Sequence, residues 1–61
     1  MPLKKRREAL GLTLADLSRM TGIHIVTLSR LEHGKISPRK MTLENAVKLA
    51  DALLCEPREL L

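Results

Sequence analysis

The stretch that most constrains this chain is Leu14 to Leu31, LADLSRMTGIHIVTLSRL, whose apolar and small positions fit two short helices set against each other around a glycine. Leu14 and Leu17, three apart, share the inner face of the first of these helices, and Ser18 is small enough to let a second helix cross close by. Gly22 can take the left-handed conformation that turns the chain sharply between the two, which a residue with a Cβ adopts only at a cost. Ile23 plugs the corner. Leu28 and Leu31 then bury the inner side of the second helix and leave its other side facing out.

A fold organised around that pair has to be helical and small. Sixty-one residues are read as one domain, 1–61, with a usable core only as a bundle with short loops or with a partner chain. The absence of aromatic residues argues against a β-rich fold, and the abundance of Leu, Ala, Arg, Lys and Glu argues for helices. Lone Cys55 has no second cysteine to pair with, which suits a reducing cytoplasm. No apolar run approaches the roughly 18 residues of a membrane span, and the basic start is not followed by the apolar segment of a signal peptide.

Charge divides the chain. Residues 1–40 carry nine Lys or Arg against three acids, a balance of +6, and residues 41–61 carry two against four, a balance of −2. The first part is suited to a polyanion, and the second is neutral enough to pack or dimerise. A basic run alone more often serves solubility, but this one shares its part of the chain with the paired helices.

In chain order, Pro2 suits the first turn of a helix over residues 3–10. Leu3, Arg7 and Leu10 fall on its inward stripe. A cation there either pairs with an acid, for which Glu32 is the candidate, or reaches solvent along its own stem. Lys4, Lys5 and Arg6 point outward. Gly11 ends the helix and Leu12 crosses into the core. Thr13 caps the second helix, to about Thr21, with Asp16 completing an approximate capping box. A third helix runs from about Ile25 to His33 and stops at Gly34. Residues 35–41, KISPRKM, form a basic loop, with Ser37 extended before Pro38. Thr42 caps a fourth helix whose stripe is Leu43, Ala46, Val47, Leu49, Ala50 and Leu53. A last short helix, 57–61, brings Leu60 and Leu61 back onto the core. The expected fold is all-α, a compact five-helix bundle.

The run LTLADLSRMTGIHIVTLSRLEHGKISP, followed by TLENAVKLADAL, resembles the Cro and phage-repressor type of helix-turn-helix domain, the XRE family, over nearly the whole chain from Arg7 to Leu60. The most specific parts are the Gly22-Ile23 turn and the TLSRLEHG run, similar to the family's T-I-S-x-I-E-N-G. The resemblance implies a lambda-repressor-like bundle that binds operator DNA as a symmetric dimer without metal or cofactor. It also implies an ion pair between a helix 1 arginine and the glutamate of the E-N-G run, here Arg7 and Glu32. Departures are Leu14 in place of a polar phosphate contact, often glutamine, His24 where Ser or Thr caps helix 3, and His33 in place of asparagine. The loop between Pro38 and Thr42 is longer by about three residues, and Leu54 replaces the usual glycine after helix 4.

In that geometry helix 3 lies in the major groove, and the outward positions Ile25, Val26, Ser29 and Arg30 are the base-reading candidates. A guanidinium at Arg30 can grip guanine O6 and N7, whereas Ile25 and Val26 can meet only thymine methyls or an apolar partner. Backbone candidates are Thr13, His24 and Thr27 with the loop cations Lys35, Arg39 and Lys40, the default for Lys40 being solvated charge. Leu54, Cys55 and Arg58 are the candidate dimer interface.

An enzyme is not expected. His24 and His33 have no metal-ligand spacing with each other or with Cys55, and no phosphate loop, nucleophile motif or carboxylate pair is present. The function read from the sequence is a small cytoplasmic transcriptional regulator, a repressor that binds double-stranded DNA as a homodimer. The alternatives are an antitoxin that binds both DNA and a toxin protein, or a protein-interaction module on the same fold.

Overall fold

Thr13 and Thr42 each turn extended backbone into a helix by accepting a hydrogen bond from the backbone N–H three residues on, Asp16 at 3.0 Å and Asn45 at 3.2 Å. In the computed structural model, which describes residues 3–60, the helices are α1 (Leu3–Ala9), α2 (Leu14–Thr21), α3 (Ile25–Glu32) and α4 (Leu43–Ala52). Pro2 and Leu61, expected to open the first helix and to fold onto the core, lie outside the described residues. Among the described residues the five-helix expectation becomes four α-helices with two single 3-10 turns, Pro38–Lys40 and Pro57–Leu60. The reason at the C-terminal end is local. Glu59 closes the turn twice, its N–H donating to Glu56 O at 2.9 Å and its carboxylate accepting from Glu56 N–H at 2.6 Å, so the bonding is i to i+3.

Leucines from five elements meet in one core: Leu3, Leu17, Leu28, Leu49, Leu53 and Leu60 are all fully buried, with Ile23, Leu31 and Ala50 around them. Each such leucine stabilises the fold by about 2 kcal/mol relative to exposure. That is a large share of the net stability of a small domain.

The turn between α2 and α3 is held by more than its glycine. Gly22 sits at φ 73°, and its N–H donates to Ser18 O at 2.8 Å. Ser18 Oγ donates to Ile23 O at 2.7 Å, and buried Thr21 donates to Leu17 O while accepting from Ile23 N–H at 3.2 Å. Ser18 is therefore a hydrogen-bonding tie as well as a small contact. Between α1 and α3, Arg7 Nε and Nη2 donate to the two Glu32 carboxylate oxygens at 2.9 and 3.1 Å, and Nη1 donates to Leu12 O at 2.7 Å. These bonds to Glu32 hold the guanidinium still further above its ordinary pKa.

Several inward expectations give way. Leu10 is exposed, because α1 stops at Ala9 and Leu10 lies in the turn that follows. Leu12 stays half-buried at the edge, where its carbonyl receives Arg7. On α4 the buried positions are Ala46, Leu49, Ala50 and Leu53, while Leu43 is 77% exposed and Val47 40%. Arg6 is not free: Nη2 reaches Glu59 at 3.3 Å and ties α1 to the C-terminal turn.

Candidate nucleic-acid interface

α3 begins at His24, whose Nδ1 accepts the Val26 N–H at 3.1 Å, so an imidazole takes the place of the usual hydroxyl cap. Its inner side is fixed by Leu28 and Leu31. The 3.6-residue period then turns Val26, Ser29, Arg30 and His33 to the other side, where with Lys35 they line a shallow open groove of about 410 Å³. Val26 and Arg30 are exposed, and among the described residues Arg30 has no ion pair. The arrangement offers one extended cation, one hydroxyl and one branched apolar side chain along a single helix face, the chemistry needed for hydrogen bonds to base edges and contact with a methyl group.

Three of the four base-reading candidates, Val26, Ser29 and Arg30, are thus brought together, and Ile25 lies exposed on the first turn outside the groove. His33 was missed. Its ring Nδ1 donates to Ser29 O at 2.7 Å, and its place four residues after Ser29 and three after Arg30 was the available signal.

The backbone candidates separate into groups. Lys35 joins the groove beside Arg30. Thr27 and Lys40 line a second recess, of about 170 Å³, between α3 and the start of α4, together with Ile23, Met41, Thr42 and Asn45. Arg39 is elsewhere, on an apolar groove with Pro38, Met41, Leu43, Ala46 and Pro57. Thr13 has its N–H and its hydroxyl oxygen engaged by Asp16 in a reciprocal capping box. The Thr13 N–H and hydroxyl, with Arg19 beside them, hold the Asp16 carboxyl below its ordinary pKa.

Of the candidate dimer residues, Leu54 is 77% exposed in a left-handed conformation, φ 56°. Cys55 is half-buried against the core, its thiol pushed up by that burial, and Arg58 pairs with Glu56 at 3.2 Å. Among the described residues no cluster of His, Cys, Asp or Glu is placed to hold a metal ion, and no helix is long and apolar enough to cross a membrane.

A family described as helix-turn-helix matches residues 3–60 of this chain. No curated protein and no solved structure matches it.

Proposed function

Because the chain belongs to the Cro/C1-type helix-turn-helix family, the XRE family, we propose that it reads an operator in double-stranded DNA as a homodimer and represses transcription there. The family is a DNA-binding one. The observation that carries the reading is the outer face of α3: Val26, Ser29 and Arg30 line one open groove side by side, and Lys35 in the following loop adds a second cation beside Arg30. Arg30 donates to guanine O6 and N7, Val26 and Ile25 meet thymine methyls, and Ser29 completes the surface. Lys35, Lys40, Thr27 and the helix start at His24 hold phosphates on either side.

Size supports the dimer. The molecule measures 25 × 22 × 19 Å, less than one turn of duplex, about 34 Å, so one copy meets too few base pairs to find a site in a genome. Two copies on adjacent half-sites remedy that, and occupancy then blocks polymerase in the cytoplasm.

Selection of bound sequences from random duplexes, repeated with Arg30→Ala, tests this. The expected result is an enriched site for the wild type and loss of preference at one base step in the variant, with general affinity partly kept. No enrichment for the wild type refutes operator reading, and a uniform fall in the variant makes Arg30 a phosphate anchor.

A further inference from the structure

The feature the DNA-reading surface leaves unused is the outer edge of α4. Leu43 and Val47 stand four apart on one side of that helix, 77% and 40% exposed, although their spacing belongs to the apolar stripe that elsewhere enters the core. Leu43 also borders the apolar groove walled by Pro38, Met41, Ala46 and Pro57, so the patch continues off the helix. A contiguous apolar surface of this kind marks an interaction site.

The charges beside the patch choose the occupant. Glu44 and Lys48 follow Leu43 and Val47 by one position each, and within the chain they form a surface pair at 3.0 Å. Such a pair contributes little and exchanges partners freely. A helix that carries an apolar pair with an acid at its N-terminal end and a base at its C-terminal end is complementary to itself when turned antiparallel. Leu43 then packs beside Val47 of the second copy, and each Glu44 meets the other copy's Lys48. The same operation sets Arg39, at one end of the patch, towards Asp51 at the other end.

We propose that this face of α4 is a two-fold, antiparallel interface with a second copy of the chain, built on Leu43 and Val47 and fixed in register by Glu44 and Lys48. It deepens the dimeric reading above, and replaces the Leu54, Cys55 and Arg58 surface with a different one.

Sedimentation of the full chain without DNA tests it. Glu44→Lys and Lys48→Glu each place like charges across the axis, so each variant alone self-associates about tenfold more weakly than the wild type. Mixed in equal amounts, the two form a heterodimer at least as tight as the wild-type pair, because opposite signs face each other again. Leu43→Glu abolishes association, and its unchanged circular dichroism and melting separate this from unfolding, since Leu43 is outside the core. A wild type that stays monomeric at millimolar concentration overturns the proposal, as do charge variants that associate like the wild type or fail to recover on mixing. Duplex binding, measured separately by anisotropy, distinguishes the two readings. A solution dimer without DNA binding defeats the operator reading alone, and dimeric DNA binding indifferent to Leu43→Glu defeats this interface alone.

Discussion

Arg7 and Glu32, 25 residues apart in the chain, meet through two parallel hydrogen bonds that join α1 to the end of α3. The Glu32 side chain is 3% exposed and that of Arg7 13%, so removing either charge strands the other away from water. Arg7→Met is expected to destabilise the domain by about 3 kcal/mol, and Arg7→Met with Glu32→Leu by much less, because no orphan charge is then left. Thermal melts of the two variants followed by circular dichroism check this, and equal losses in both would show that packing rather than charge pairing dominates.

The capping box of α2 makes a pH-dependent contribution. Hydrogen bonds from the Thr13 N–H and hydroxyl depress the Asp16 pKa in the folded chain below its ordinary 3.8. A depressed acid contributes stability that is present above the unfolded value and lost as pH falls through the folded one. The start of α2 should therefore loosen below about pH 4. In Thr13→Ala the Asp16 carboxyl should titrate closer to its ordinary value, with a loss of about 1 kcal/mol of stability for the missing cap. Carbon-detected titration of the carboxyl reads the first effect, and an unmoved midpoint contradicts the assignment.

Local chemistry makes much of the fold legible in the sequence, and the parts it hides have a common cause. Thr13, Gly22 and Thr42 set their elements through bonds within a few residues of themselves, which a sequence displays directly. Leu43 and Val47 fall on the apolar stripe yet stay outside the core, because periodicity says which side of a helix is apolar and not how wide a strip its neighbours can cover. In a chain this small, α4 is covered only along Ala46, Leu49, Ala50 and Leu53. The tie between Arg6 and Glu59 spans 53 positions, and no local pattern announces it. On the outer face of α3, residue spacing places Val26, Ser29 and Arg30 together, but the separation of Arg39 from Lys40 depends on the 3-10 turn at Pro38–Lys40.

Leu54 is strained where Gly22 is not. A side chain at φ 56° crowds the following carbonyl, at roughly 1 kcal/mol for a non-glycine residue, and exposure means that little packing offsets it. Leu54→Gly should thus stabilise the domain by about 0.5 kcal/mol after the greater freedom of glycine in the unfolded chain is subtracted. Gly22→Ala should do the reverse by about 1 kcal/mol. Urea titrations with unchanged slope would establish both as stability effects, and a Leu54→Gly protein less stable than the parent would mean that the leucine makes contacts in solution.

Lys35 and Lys40 lie on different sides of α3, one in the groove beside Arg30 and one with Thr27 in the recess before α4. If both hold phosphates, each releases about one condensed counterion, and the slope of log affinity against log salt should become shallower by about 0.9 for Lys35→Gln and again for Lys40→Gln. The two effects should add, because the sites share no partner. Both losses should be the same on operator and unrelated duplex, since a phosphate carries no sequence information. Arg30→Ala should behave differently, reducing the gap between operator and unrelated duplex by about 1–3 kcal/mol. Anisotropy titrations at several salt concentrations on both duplexes separate these cases. A Lys40→Gln slope identical to the wild type would return Lys40 to solvated loop charge and leave α3 held from the Lys35 side alone.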